Sequence, residues 1–355
     1  MADRPRALVY RPGSLGDTLV SLPAIAEIRR QYPSHRLTLL TEGPIAGSTR
    51  VSPWTILKET EWFEDVHFYV VKPATTTDRW RNASLAMRLR GNRYDDIFSL
   101  APPRTSRQLR VDACIFRAVV GSRRYHAARS PAWPPAAEPS PVEHEGLRLL
   151  RIVAPDAGEE SLGSYRLPLP AAEREESRQL LDALGVRSDH VLVGIGPGSG
   201  RATTTWPADR FAAVGSALLR QFGDLVLLAI GGSSERSLCG ELCAGWGPRS
   251  HNLAGQLSVF GSASVLSRCA TFIGNDSGPT HLAAMVGTPC VAIFSARNAP
   301  GQWTPLGEHH VVLEDRPECA GCMLDTCVDE SNKCLTRIQA GQVFNEAASL
   351  IAARV

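Results

Sequence analysis

The stretch GPGSGRATTTWP, residues 196–207, follows the apolar run VLVGI and leads into a helical pattern starting at Ala208. A glycine-broken loop between a strand and a helix is where α/β sheets usually bind phosphate. Such loops commonly carry a lysine, and here Arg201 is the only cation. Thr203, Thr204 and Thr205 add three hydroxyls, and Ser199 and Gly200 add backbone N–H groups. The same strand-to-helix alternation runs on from this loop: helix 208–221, LVLLAIGG, helix 235–244, ATFIGND, helix 279–286 and PCVAIFS. Such an order builds a parallel sheet.

Upstream, RALVY (6–10), the turn RPGSLGD, a helix over 18–31 and RLTLLTE (36–42) form a βαβ unit. DVHFYVV, a helix near 80–89, YDDIFSL and a helix over 106–119 extend it less regularly. SPAWPPAAEPSP (130–141) holds five prolines and reads as a loop. HEGLRLLRIV then reads as one short amphipathic helix, and a polar stretch over 156–170 precedes the helix AEREESRQLLDALG. The expected fold is α/β: two doubly wound domains, 1–170 and 171–355, facing one cleft.

At 355 residues the chain is long for one hydrophobic core. With 43% hydrophobic and 21% charged residues, it has the composition of a globular protein. A net charge of +2 gives no support for nucleic-acid binding. Arginines do cluster, at Arg79, Arg81, Arg88, Arg90 and Arg93 and then Arg104, Arg107 and Arg110. They suit a solvated face, or less readily a site for an anionic acceptor. The N-terminus lacks a signal-peptide run and no stretch approaches ~18 apolar residues, so the expectation is a soluble, cytoplasmic protein.

Two further loops carry chemistry. In GNDSGPTHLAAMVG (274–287), Asp276 and Ser277 follow a strand, Gly278 allows close approach and Pro279 suits a first helical position. The helix start favours an anion such as a diphosphate, unless Ser277 simply caps it. His281 alone reads more readily as a packing residue. In RPGSLGDTLVSLP (11–23), Asp17 stands at a helix start after Gly13, Ser14 and Gly16. It is either an N-cap or a general base, and its place in the domain opposite the anion loop argues for the base.

These residues resemble glycosyltransferase family 9, the ADP-heptose:lipopolysaccharide heptosyltransferase family. RPGSLGDTLVSLPAIAEIRRQYP, GPGSGRATTTWPADRF, GGSSE, the string from NLAGQLS to CVAIF, and QWTPLG occur in its order and spacing. The resemblance implies a GT-B fold, an acceptor bound by the N-terminal domain and a nucleoside-diphosphate sugar by the C-terminal one. It also implies inverting transfer without a catalytic metal or other cofactor. By that resemblance Asp17 is the acceptor's base, Glu235 holds the donor ribose, and Asp276, Ser277 and Gly278, with His281 beside them, contact sugar and diphosphate. Thr204 departs from the pattern, since it stands where the family usually has a phosphate-binding lysine. Arg201 or the three threonines would then hold the diphosphate, and a lysine restored at Thr204 should be tolerated.

CAGCMLDTCVDESNKC places Cys319, Cys322, Cys327 and Cys334 within sixteen residues. Four thiolates can close a structural zinc site, and reduced thiols or a disulfide are equally compatible with the spacing. The other five cysteines lie in apolar contexts.

The leading expectation is a transferase that moves a sugar, by the resemblance a heptose from ADP-heptose, to a glycan or small-molecule hydroxyl, at the inner membrane surface where that acceptor is a lipopolysaccharide core. A nucleotide-sugar epimerase of GT-B type and a non-catalytic nucleotide-sugar-binding protein are the competing readings. Thr204 motivates the last.

Overall fold

Leu225–Ala229, sequence LVLLA, is buried at every residue, as a strand covered by helices on both faces must be. The computed structural model describes residues 4–43, 50–128, 142–163, 165–328 and 330–354. The proline-rich loop expected over 130–141 lies outside the described residues. Two compact units divide the chain: Met1–Glu138 with Glu143–Tyr165, and Pro139–Val142 with Arg166–Val355. The division falls between Tyr165 and Arg166 rather than after residue 170, because the Leu167 N–H already donates to Met285 O at 3.0 Å in the second unit.

The first unit runs Arg6–Tyr10 (β1), Leu15–Gln31 (α1), Arg36–Glu42 (β2), Pro53–Leu57 (α2), Asp65–Tyr69 (β3) and Thr76–Gly91 (α3). Asp96–Ser99 (β4), Ser106–Cys114 (α4), Arg124–Ala127 (β5) and Glu145–Leu150 (α5) follow. All its strands are parallel, in the order β3-β2-β1-β4-β5. The order reverses at β1, so the loops after β1 and β4 flank the crevice where such sheets bind ligands. Leu8, Leu40, Leu85, Leu89, Ile97, Phe116 and Val120 form a core on one side.

Two local expectations are corrected here. The helix expected over 106–119 turns into a π-helical turn at Ile115–Val119. α5 is buried at all six residues instead of being amphipathic. Its charges are neutralised internally, since Arg148 grips Glu145 through Nε and Nη2 at 2.7 and 2.6 Å and donates to Ala101 O at 2.7 Å.

The second unit runs Ala171–Ala183 (α6), Val191–Gly196 (β6), Ala208–Gln221 (α7), Leu225–Ala229 (β7), Arg236–Trp246 (α8) and Ser250–Asn252 (β8). Val259–Leu266 (α9), Thr271–Asn275 (β9), Gly278–Met285 (α10), Cys290–Ser295 (β10), Val311–Asp315 (β11), Lys333–Thr336 (α11) and Ala340–Ala352 (α12) complete it. Its parallel sheet has the order β11-β10-β9-β6-β7-β8, reversing between β9 and β6. The ring of Phe272 lies over this junction. A Cβ on Gly194, Gly196 or Gly274 would come within 2.8, 2.6 and 2.5 Å of it, so glycine is required where the two central strands meet.

Candidate functional site

In the first unit, the loop after β1 turns sharply at Gly13, whose φ of +129° suits glycine. A Cβ there would also lie 2.6 Å from the Asp17 Cβ. Ser14 is the N-cap of α1, and Asp17 stands at the third helical position. Asp17 sits in the first turn, and its Oδ2 accepts from the Ser14 N–H at 2.7 Å and the Ser14 Oγ–H at 2.8 Å. This is one half of a capping box. Gly16 lies inside the same first turn. The carboxylate therefore helps cap the helix, and that leaves Oδ1 facing the Nη2 of Arg11 at 4.0 Å.

Arg11 is fully buried, donates through Nη1 to Leu100 O at 2.5 Å, and joins the loops after β1 and β4. Burial holds its pKa below the usual arginine value. Asp17 also lines a pocket of about 380 Å³ with Tyr10, Glu42, Arg50, Tyr69 and Arg104. Glu42 is buried and pairs with Arg50 at 3.2 Å. The phenols of Tyr10 and Tyr69 lie 3.4 Å apart, and burial raises the pKa of both, so both remain protonated hydroxyls. A carboxylate, two hydroxyls and an ion pair around one cavity suit a polyhydroxylated, partly anionic ligand.

In the second unit, the sites expected from sequence gather at the C-terminal ends of adjacent strands. Ser199, Gly200 and Arg201 follow β6, Glu235 follows β7, and Asp276, Ser277 and Gly278 follow β9. Ser277 occupies the N-cap position of α10 with extended backbone, yet its side chain makes no capping bond. Its Oγ is buried with no hydrogen-bond partner among the described residues. The helix start thus keeps its N–H groups and a hydroxyl for an anion. His281 is buried on the same first turn.

Glu235 ends a short 3₁₀ turn, and its Oε2 accepts the Gly232 N–H at 2.5 Å. A Cβ on Gly198 would fall 2.1 Å from Glu235 Oε1, so the β6 loop lies directly against this carboxylate.

The cation and hydroxyls of the opening loop are committed elsewhere. Arg201 donates through Nε to Asp325 Oδ1 at 2.8 Å. Thr203 donates to Leu324 O at 2.9 Å, Thr205 to Arg201 O at 2.8 Å, and Thr204 shares a 2.5 Å bond with Ser199. Thr204 is 3% exposed. This corrects the expectation that a lysine is welcome there. Thr204→Lys would break the Ser199 bond and bury an amine, so a loss of about 1–3 kcal/mol is expected, read as a lower Tm.

Three residues that sequence reasoning passed over hold these sites in place. Arg11 is one. Asn275 is the second: it donates through Nδ2 to Pro197 O at 2.8 Å and Gly198 O at 3.3 Å, and its Oδ1 accepts the buried Trp206 N–H at 3.0 Å. An asparagine at a strand's end, inside the quoted GNDSG element, was the available signal. The third is Arg297, after β10, which is 8% exposed and shares Asp325 with Arg201, at 3.3 Å. Burial first, and then Arg201, lower its pKa.

The cysteine segment packs onto this site. Gly321 N–H donates to Ala296 O at 2.7 Å, and Arg297 donates to Met323 O and Leu324 O, both at 2.9 Å. Cys319, Cys322, Cys327 and Cys334 are free thiols, and burial raises the pKa of Cys334. The Cys327 sulfur accepts the Asn332 N–H at 3.3 Å. Among the described residues no group of three or more His, Cys, Asp or Glu is gathered so as to hold a metal ion. Among the described residues no helix is long and apolar enough to cross a membrane.

The model of "Glycosyltransferase family 9 (heptosyltransferase)" matches residues 156–332, about half of the chain. Lipopolysaccharide heptosyltransferase 3 of Escherichia coli strain K12 is 27% identical over 287 residues, covering 79% of this chain and 80% of that one. A glycosyl transferase family 9 structure from Veillonella parvula superposes with a TM-score of 0.75 at 19% identity, covering 99% of this chain and 98% of that one. The Escherichia coli heptosyltransferase WaaC with ADP gives a TM-score of 0.64 at 17% identity, with 97% and 99% covered. These likenesses show the GT-B fold class. The segment matched by the family model begins shortly before the second unit and contains the loops after β6, β7, β9 and β10. The chain belongs to glycosyltransferase family 9.

Proposed function

We propose that this protein moves a heptose from ADP-heptose to a hydroxyl of an acceptor glycan, inverting the anomeric carbon and using no metal in the transfer step. The uncapped start of α10, after β9, together with the Glu235 carboxylate held against the Gly198 loop of the neighbouring strand β6, is the observation that carries the donor side. The donor's identity rests on the heptosyltransferase relatives and on WaaC with ADP-2-deoxy-2-fluoro heptose. The acceptor oxygen gives its proton to Asp17 as it bonds to the anomeric carbon. The bond to the diphosphate breaks, and ADP leaves with the electron pair. Free N–H groups at α10 take up the charge that grows on the diphosphate, so charge stabilisation there does not call for a metal.

Glu235→Ala should lose roughly 1.5–3 kcal/mol of affinity for ADP-heptose by calorimetry, because a charged acceptor for the ribose hydroxyls is gone. Gly198→Ala should reproduce much of that loss, since its methyl displaces the Glu235 carboxylate. Unchanged binding in both variants would remove Glu235 from the donor site.

A second reading, nucleotide-sugar binding without turnover, draws on Thr204 and on the commitment of Arg201 to Asp325. Turnover of ADP-heptose with an acceptor separates the two. A structural zinc on the four cysteines is a separate proposal. It would appear as about one equivalent per chain in chelator-free protein, lost on Cys322→Ser. Metal-free protein with a parent-like Tm would reject it.

A further inference from the structure

The helices α3 and α4 leave a broad face uncovered. They share the core of Leu85, Leu89, Phe116 and Val120, and Arg90 ties them by donating to Ala118 O at 2.6 Å and Val119 O at 3.1 Å. Opposite Leu85 and Leu89 on the helical wheel of α3 stand Trp80, 72% exposed, and Met87, 67% exposed. Along α4 and its π turn, Val111, Ile115 and Val119 recur every fourth residue and are 50%, 44% and 46% exposed. A bulky tryptophan and an aliphatic stripe in water are unusual on a face that does not bind anything.

The charge around this apolar surface has one sign. Arg79 and Arg88 flank Trp80 and Met87, and Arg107, Arg110 and Arg117 line the stripe beside Val111, Ile115 and Val119. These five are exposed and form no ion pair among the described residues. The only carboxylates on the two helices are Asp78, which accepts the Thr75 N–H at 3.2 Å, and Asp112, paired with Arg104 at 3.5 Å. Both are therefore engaged. An apolar face framed by unpaired arginines, with tryptophan among its apolar residues, has the make-up of a helix that lies in a lipid–water interface.

Its position also suits that role. Val70, Val71 and Lys72, before α3, and Pro102 and Arg104, before α4, line the Asp17 pocket, so both helices start at its rim. We propose that the α3–α4 face docks on an anionic lipid bilayer, so that the pocket takes the headgroup of a membrane-anchored acceptor without the lipid leaving the bilayer. The acceptor clause rests on the transferase reading above, whereas the docking surface does not.

Vesicle co-sedimentation of the full chain, without any sugar donor or acceptor, tests the surface. The protein should sediment with phosphatidylglycerol-containing vesicles, much less with phosphatidylcholine alone, and should be released by high salt. Arg107→Glu with Arg110→Glu should lower partitioning at least about tenfold, since each arginine near such a surface contributes about fivefold. Trp80→Ser with Ile115→Ser should lower it about tenfold by removing the apolar contribution. All four positions are exposed, so circular dichroism and Tm should match the parent chain.

Equal binding to neutral and anionic vesicles, or variants that bind like the parent, would overturn the proposal. So would a dimer in light scattering that Ile115→Ser dissociates, because a second copy would then cover the stripe. Preferential binding of duplex RNA over vesicles would assign the arginines to nucleic acid and overturn it as well. A chain that binds vesicles but never turns over ADP-heptose would reject only the transferase reading.

Discussion

Asp17→Asn is expected to lower kcat about a hundredfold or more while leaving ADP-heptose affinity and Tm close to the parent values. The side-chain oxygen of asparagine can still accept from Ser14 N and Oγ, the two bonds that Asp17 Oδ2 makes at 2.7 and 2.8 Å. The cap therefore survives. What is lost is Oδ1 as a proton acceptor, the oxygen that lies 4.0 Å from Arg11 Nη2 and is not used by the two Ser14 bonds, on a side chain that lines the pocket. Ser14→Ala supplies the complementary control. It should cost about 0.5–2 kcal/mol of stability with a much smaller effect on kcat, because it weakens the cap and keeps the base. If Asp17→Asn turns over like the parent, the capping box is the whole role of this carboxylate.

The second large effect is expected at a residue that touches no reacting atom in the proposed mechanism. Asn275→Ala leaves the Trp206 N–H and the carbonyls of Pro197 and Gly198 without their partner. Each buried group so stranded costs roughly 1–3 kcal/mol, so the variant should lose roughly 3 kcal/mol or more. For a unit of this size that is a fall in Tm of roughly 6 °C or more. Donor affinity should fall as well, because the loop after β6 is no longer held against Glu235. Asn275→Asp keeps an acceptor for Trp206 N–H and loses only the donation, and should fall between alanine and the parent. A parent-like Tm for Asn275→Ala would show that water replaces the side chain and that the loop is fixed by other contacts.

Several particulars separate what was legible in the sequence from what was not. The helix read over 208–221 is α7 without adjustment, because its apolar positions repeat at helical spacing and Pro207 starts it. The helix read from 18 begins at Leu15, since the start is set by Ser14 and its bonds to Asp17, and not by the first apolar residue. β5, Arg124–Ala127, is not legible in the sequence, because RYHA is polar and its supports are tertiary: it pairs with β4, Arg124 grips Asp96 at 2.7 and 2.6 Å, and His126 approaches it at 2.8 Å. α5 was misread because Arg148 and Glu145 look like a solvent face until their mutual bond is seen.

The amino-acid sequence by itself determined that this chain folds as two parallel βα units and that its glycine-marked loops lie at strand ends. Those facts rest on local chemistry: unbroken apolar strands, helical periodicity and glycines where backbones must turn or approach closely. It also determined the family, since short strings around Asp17 and Asp276 carry that likeness. The tertiary structure alone decided what each polar group in those loops is free to do. Arg201 meets Asp325, 124 residues away in the chain, Thr203 meets Leu324 O, and Thr204 and Thr205 bond within the loop to Ser199 and to Arg201 O. Ser277, which sequence rules would make a cap, keeps its hydroxyl unbonded among the described residues. Hydrogen-bond partners far apart in sequence are chosen by packing, so residue spacing can show where a site forms, and only the folded chain shows which atoms remain available to it.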